Sequence, residues 1–397
     1  MLQFGSGNSS QVNSDSAMAE CLEKATKDPG AVSLVIVHAT VGHNFKALLA
    51  AARTRCPNAT VIGCTGSGVI HSEGVTEAMR ALAVMTIAGP EVAVTFRDGL
   101  NRGNGRALAA EAGQALKQSL DGINMVALFT AGFDVTADDV IAGVEDALGS
   151  DMPIFGATAA DNGKAQGSFQ FYNDTVTEHG VLLVGFADPT LELEWISHHG
   201  SNPIGAPFVV TAAQGNHITT LDGKPAWPQI MERLGLPPDT TPDQTLPIAG
   251  LGIELPGAEQ TEYDNSHTMR VPLEIDGAGG VYLPTSVPVG TKLSLMQRDE
   301  DKIFSGVERM MDRLKEKVAG REIVAVFQAD CMARGRLTFD RVLKDEIIAK
   351  MQYPLDGATV PWLGVYGFSE YCPLGGRNQF HSYTTSLFPL VRRPAAP

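Results

Sequence analysis

Apolar residues in this chain fall in runs of strand length, most of them closed by glycine, threonine or a charged group and followed by a helical pattern. Residues 2 to 7 predict a short first strand. Ser14 and Asp15 then cap a helix to about residue 27, with Ala17, Cys21 and Leu22 along its apolar stripe. Residues 32 to 37 form an apolar, β-branched run ending at His38-Ala39-Thr40, the pattern of a strand buried on both faces. A helix is expected over 44–55, stopped by Pro57-Asn58, and a strand over 60–64 that breaks into Gly63-Cys64-Thr65-Gly66-Ser67-Gly68. Residues 81–87 and 91–96 read as the two strands of a hairpin turning at Gly89-Pro90.

The same order then returns. A helix over 105–120 leads to a strand over 125–129 that ends at Thr130-Ala131-Gly132. Thr136 caps a helix over 137–148, and a strand over 152–155 breaks into Gly156-Ala157-Thr158-Ala159-Ala160-Asp161-Asn162-Gly163, with another strand at 181–186. A third copy closes the chain: strand 322–327, turn Cys331-Met332-Ala333-Arg334-Gly335, helix 339–351, strand 361–367 and strand 384–390. These are repeated β-α-β-turn-β units, and they predict an α/β (α+β) fold in mixed sheets. Between residues 188 and 301 the pattern changes to short alternating runs at 208–211, 218–221, 269–275, 280–283 and 292–296, with one helix near 227–234. This is a β-rich middle segment, and Ser201-Asn202-Pro203-Ile204-Gly205-Ala206-Pro207 marks its boundary. The organisation expected is an N-terminal α/β domain over 1–200 and a C-terminal domain over 201–397, β-rich at 205–298 and α/β at 299–397, where a helix over 299–317 resumes the pattern.

Composition narrows the function. A formal net charge of -15 repels phosphate backbones and anionic membranes, which argues against nucleic-acid binding and a polybasic membrane patch. Five cysteines with no C-x-x-C pair give neither a zinc knuckle nor a redox motif, and read as reduced thiols of a cytoplasmic protein. The first residues lack the basic and apolar regions of a signal peptide, and no apolar run approaches the ~20 residues of a spanning helix.

Candidate chemistry gathers at the strand ends. Six residues separate Gly156 from Gly163 where a phosphate loop needs four, and Gly5-Ser6-Gly7 and Gly103-Asn104-Gly105 lack the third glycine of a dinucleotide fingerprint. Gly367-Phe368-Ser369-Glu370-Tyr371 has tyrosine where a nucleophile elbow needs glycine, so Ser369 reads as a hydrogen-bonding residue. His198 and His199 are adjacent, point to opposite faces of a strand and read as a solvated strand end; no metal set is signalled. Arg334 follows an apolar strand and precedes Gly335, whose bare backbone allows close approach. Its fork of donors suits a carboxylate, on Glu370 or on a ligand. Cys331 becomes a nucleophile only if Arg334 lowers its pKa and His381 serves as base; a buried, inert thiol is the commoner condition.

Gly63-Cys64-Thr65-Gly66-Ser67-Gly68, Gly156-Ala157-Thr158-Ala159-Ala160-Asp161, Phe208-Val209-Val210-Thr211, Val287-Pro288-Val289-Gly290, Cys331-Met332-Ala333-Arg334-Gly335 and Gly364-Val365-Tyr366-Gly367-Phe368-Ser369-Glu370 occur in the order found in FIST-domain proteins, which the chain resembles along essentially its whole length. Ser382 departs from the family's usual asparagine. The resemblance implies a sensory domain of bacterial signal transduction that binds small ligands such as amino acids. It is similar, too, to the nitric-oxide-sensing members that carry haem and modulate a partner histidine kinase. Three readings stand open. In the first, a non-enzymatic sensor needs no cofactor and signals through a partner protein. Its ligand meets Cys331, Arg334, Gly335, Tyr366, Ser369, Glu370, His381 and Thr384, with Cys64, Thr65, Thr158 and Asp161 contributed by the glycine turns. Arg334 holds the ligand's carboxylate, and Glu370, Ser369 and Thr384 its amine. In the second, haem is bound through His381 or Cys331. In the third, the protein is an enzyme using Cys331 with His381.

Overall fold

The computed structural model describes residues 1–162, 167–335, 339 and 341–393. Gly163 and Lys164 of the second glycine turn, and residue 340 within the third predicted helix, lie outside them. The repeats are real and share one design. In each unit an apolar strand runs parallel to a second one after a helical crossover: Val32–Ala39 with Thr60–Thr65, Met125–Thr130 with Ile154–Thr158, and Ile323–Cys331 with Trp362–Gly367. A third strand lies antiparallel beside the first: Leu82–Ala88, Val181–Phe186 and Thr385–Arg392 respectively.

Each sheet is completed by a hairpin from a different unit. The hairpin Val69–His71/Gly74–Thr76, which follows the first unit's parallel pair, adds to the third sheet. Gln170–Tyr172/Thr175–Thr177, after the second pair, adds to the first sheet. Glu370–Leu374/Arg377–His381, after the third pair, adds to the second. The exchange is cyclic, so the polar stretch 367–385 is a strand pair turning at Gly375-Gly376 rather than a loop.

Alternation along the strands separates two layers. Leu34, Ile36, Met125, Ala127, Ala325 and Phe327 face a common core shared by all three sheets. There Phe155 lies 5.2 Å from Phe388 and 5.7 Å from Phe327, ring centre to ring centre. The intervening residues, such as Val35 and Val37, Val126 and Leu128, face the helices outside. Ser14–Ala25 and Phe45–Arg55 cover the first sheet, Gly105–Ser119 and Ala137–Leu148 the second, Glu300–Val318 and Arg341–Gln352 the third.

Three local expectations change. Leu82–Ala88 and Val92–Arg97 do not pair as a hairpin, because Gly89-Pro90 carries the chain from the first sheet to the edge of the second. The first helix is capped by Asn13, whose side chain accepts from the Ser16 amide. The stretch 201–207 is not open chain: it begins a long strand, Ser201–Gln214, that pairs with Lys292–Arg298 across a register shift between Ile204 and Phe208. That strand belongs to a fourth sheet made by the β-rich middle segment. No described helix is long and apolar enough to cross a membrane.

Two glycines hold corresponding places in the first two units. Gly63 has φ +151° and a Cβ there would sit 1.8 Å from the Val37 carbonyl oxygen; Gly156 has φ +141° and a Cβ would sit 2.1 Å from that of Leu128. Backbone cannot yield as a side chain can, so each parallel pair depends on a bare α-carbon. Gly63→Ala and Gly156→Ala are expected to destabilise the protein by about 3 kcal/mol or more in urea unfolding, the range reserved for core disruption. Gly74→Ala, at φ +118° with nothing within 4 Å, is expected to cost only the backbone strain, about 1–2 kcal/mol.

Candidate functional site

The third unit's first strand runs four residues beyond its predicted end, so Asp330 and Cys331 are strand residues and the turn is the short helical segment Met332–Arg334. This geometry brings Arg334 back over Asp330. Its Nε donates to Asp330 Oδ1 at 3.0 Å, with the two side chains 3% and 1% exposed. Its Nη1 donates to the His199 carbonyl oxygen at 3.3 Å, while Nη2 is enclosed without a hydrogen-bond partner among the described residues. Asp330, not Glu370, is therefore the internal counter-ion of Arg334. Burial pushes the Asp330 carboxyl up to about 6, a rise that Arg334 and the Thr385 hydroxyl only partly offset.

Glu370 opens the exchanged hairpin, opposite His381 in register. Its Oε2 accepts from the Thr384 amide at 3.3 Å and from the Thr384 hydroxyl, and its Oε1 is enclosed with no partner among the described residues. Burial, with the neighbouring Asp330 charge adding to it, holds its pKa well above the usual carboxylate range. The site thus contains a guanidinium with a spare donor and a carboxyl with a spare oxygen, both cut off from water.

His381 is fully engaged. A carbonyl can only accept, so Nε2 donates to the Cys372 oxygen at 3.0 Å, and Nδ1 accepts from the Tyr263 hydroxyl at 3.2 Å. Burial lowers its pKa to about 4, so the ring is neutral. Tyr263 also stacks edge-on against His199, with ring centres 5.4 Å apart. Neither His198 nor His199 is solvated, as their order in sequence suggested; they are 0% and 1% exposed.

The remaining predicted residues divide into neighbours and joints. The Cys331 thiol lies 3.4 Å from the Phe368 carbonyl oxygen, and burial, then Glu370, drives its pKa well up. It packs with Met269, Met296 and Tyr383, where the β-rich segment meets the strand ends. Tyr383 holds φ +61°, a conformation side chains rarely adopt, with its ring against Gly250. Arg270 of the β-rich segment donates to the Phe380 carbonyl at 3.0 Å. Ser369 bonds to Ser382 at 3.2 Å, and its amide donates to Thr158 Oγ1 at 3.0 Å. Tyr366 is buried in register with Asp330. Gly335 makes room for Glu77, whose Oε1 would lie 2.4 Å from a Cβ there, rather than for a ligand. Cys64 faces the common core beside His38 at 3.4 Å, Thr65 accepts from the Phe169 amide at 2.8 Å, and Asp161 is buried past Thr158. These four glycine-turn residues stand at junctions between units, and Thr158 reaches the cluster through Ser369.

Asp330, Tyr263 and His199 were not among the expected site residues. Asp330 is spaced i,i+4 from Arg334, a signal that only a turn-shaped backbone makes meaningful. Tyr263 and His199 arrive from distant segments.

Two chemical alternatives fit poorly. The nucleophile reading needs a lowered thiol pKa and a free histidine base, and neither is present in this arrangement. For haem, both His381 nitrogens are bonded and Cys331 is sealed in apolar contact. The cavity on that side, lined by Tyr383, Met296 and Arg298, is only about 10 Å³, so the residues present do not fit the group. No group of three metal-binding side chains occurs among the described residues.

Family models match both halves of the chain. The FIST N domain model matches residues 33–224 and the FIST C domain model residues 230–373. An uncharacterized protein of Mycobacterium tuberculosis is 25% identical over 97% of this chain and 99% of its own length. One from Mycobacterium bovis is 28% identical over 57% of each. A solved cyanuric acid hydrolase aligns over 99% of this chain and 100% of its own, at 11% identity and a TM-score of 0.37, too distant a likeness to carry function. With both halves matched in order, the chain belongs to the FIST-domain family of signalling-associated sensory domains.

Proposed function

We propose that the protein is a non-enzymatic sensor of a small zwitterion, an amino acid or a close analogue, held at the strand ends of the third unit. One observation carries this reading: Arg334 Nη2 and Glu370 Oε1, one on a cation and the other on a carboxyl, are both enclosed and lack hydrogen-bond partners among the described residues. An unmet polar group in a protein interior costs on the order of 1–3 kcal/mol, and more where it is charged, as Arg334 is. A ligand carboxylate supplies the acceptor that Arg334 lacks, and a ligand ammonium supplies the donor that Glu370 lacks. Asp330 holds the guanidinium in place through Nε, leaving the other edge of the fork for the ligand.

The ligand enters by separation of the β-rich segment from the strand ends, where the packing of Met269 and Met296 on Cys331 and Tyr383 leaves no room for one. Binding therefore changes the contact between the segment and the units, and that surface is the means of signalling to a partner protein. The protonated thiol of Cys331 and the engaged ring of His381 support binding over turnover. Five unpaired, buried cysteines favour a cytoplasmic setting.

A thermal-shift screen of amino acids against the full chain is expected to find a stabilising ligand, worth about 2.7 kcal/mol at a hundredfold excess over Kd. Arg334→Ala and Glu370→Gln should each abolish the stabilisation. A ligand that protects Arg334→Ala as well as the parent places the site elsewhere.

Binding should also release a proton. Glu370 holds its proton to well above the ordinary carboxylate pKa in the free protein. An ammonium beside it favours the ionised form, so its pKa falls on binding. Below the free protein's pKa, affinity then rises with pH, by up to about tenfold per unit. Calorimetry in two buffers of different ionisation enthalpy measures the proton directly. Affinity that falls as pH rises across this range contradicts the assignment of the amine to Glu370.

A further inference from the structure

A second opening lies on the other side of Tyr263. The helix Glu300–Val318, the short helix Gly257–Tyr263, the edge strands around Trp195 and Ser197, and Pro373-Leu374 of the exchanged hairpin enclose a cleft of about 400 Å³. That volume falls in the range of small-molecule sites, roughly 300–1,000 Å³. Its floor is apolar: Trp195, Ile196, Tyr263, Pro373 and Leu374.

Two cations, Arg313 and Lys317, and two carboxylates, Glu262 and Glu316, line it. Arg313 and Lys317 are four residues apart and so share one face of the helix, turned to the cleft. Arg313 Nη1 donates to the carbonyl oxygens of Thr261 at 3.0 Å and Glu262 at 3.1 Å. Lys317 Nζ donates to the Trp195 carbonyl at 2.9 Å and stands 5.7 Å from the centre of its ring. Carbonyls orient these cations without neutralising them. Asp264 is committed to Arg309 at 2.8 Å and makes only a longer ion pair with Arg313, at 3.8 Å. Glu262 accepts from the Gly375 amide at 3.1 Å, which draws it to the hairpin turn. Glu316 lies on the rim, exposed to water. Cations near a helix C-terminus also satisfy its dipole, but Lys315 serves that end as well, and it pairs with Asp312 at 3.3 Å. Arg313 and Lys317 differ in being held open over an apolar floor.

We infer that this cleft binds an organic carboxylate with an apolar or aromatic body: the body lies on Trp195 and Leu374, and the carboxylate bridges Lys317 and Arg313. Tyr263 is the shared wall between the cleft and the strand-end cluster, since its hydroxyl holds His381 and its ring packs on His199. An occupant of the cleft therefore touches the residue that orders the neighbouring site. The cleft is a separate site, and its ligand does not depend on the reading of Arg334 and Glu370.

Trp195 is only partly buried, while Trp227 and Trp362 are 1% and 0% exposed, so tryptophan emission reports the cleft. The test titrates the full chain with phenylacetate and, as the uncharged control, phenylacetamide. The expected result is a saturable change with phenylacetate below about 10 mM, reasonable for a ligand of this size, and at least tenfold weaker response to the amide. Joint Arg313→Gln and Lys317→Gln substitution should abolish it, and Thr261→Phe, which fills the exposed rim without removing a charge, should do the same. Arg334→Ala should leave it unchanged, which separates this site from the strand-end cluster. Absence of saturation, equal response to the amide, or a response that survives both the charge substitutions and Thr261→Phe overturns the inference.

Discussion

Main-chain hydrogen bonding between units is the constraint on which everything else here depends. A parallel pair with one flanking strand leaves an open edge, and an open edge exposes unpaired amides. Each unit closes its neighbour's edge, so none of the three sheets is complete without another unit. The junctions repeat the rule at finer scale: the Ser67 amide donates to the Tyr366 carbonyl at 2.9 Å, the Ala160 amide to Thr65 at 2.9 Å, and the Thr158 amide to Ser369 at 3.0 Å. These bonds place the three glycine turns against one another and fix the strand ends in space. The exchange also explains how Glu370, in the third unit's hairpin, is anchored to the second sheet while Arg334 is anchored to the third.

That arrangement has an electrostatic consequence. Arg334 and Asp330 belong to one backbone segment and move together, whereas Glu370 and Thr384 are carried by the hairpin and by the chain after it. Between them the interior holds one guanidinium and two carboxyls, with burial raising the pKa of both acids. Two carboxyls so close cannot both ionise cheaply beside a single cation. A neutral Glu370 and an ion-paired Asp330 divide the roles: one waits for a cation, the other positions the cation already there.

The repeat was legible in the sequence because buried strands and their glycine breaks leave a strong pattern, and Gly63 and Gly156 mark equivalent backbone positions. The exchange of hairpins was not, since Val69–His71 and Gln170–Tyr172 are short strands whose partners depend on which edge is open, a property of the assembled sheets. The hairpin misread around Gly89-Pro90 has the same origin: the turn chemistry was right for a reversal, but the two strands were already claimed by different sheets. At the site, Arg334, Glu370 and Thr384 could be named because a charge or hydroxyl just past an apolar run is conspicuous. The pairing of Arg334 could not, because it rests on strand continuing through Asp330 and Cys331. Tyr263 and His199 carry no local signal, being ordinary residues of a helix and of a short link between two strands that packing delivers to His381.

The β-rich segment supplies what the three units lack. Strand ends crowded with charge need a cover that excludes water, and Met269, Val271 and Met296 provide it with flexible and branched apolar side chains. The polar ties that hold the cover include Arg270 to the Phe380 carbonyl, Tyr383 to the Ala249 carbonyl at 3.4 Å, and His199 to the His267 carbonyl at 2.8 Å. Two of those ties begin on residues that touch the cluster directly: Tyr383 lies beside Cys331, and the carbonyl of His199 accepts from Arg334. The cluster and the cover are thus joined through bonds already made, while the cyclic hydrogen bonding beneath ties the three units to one another.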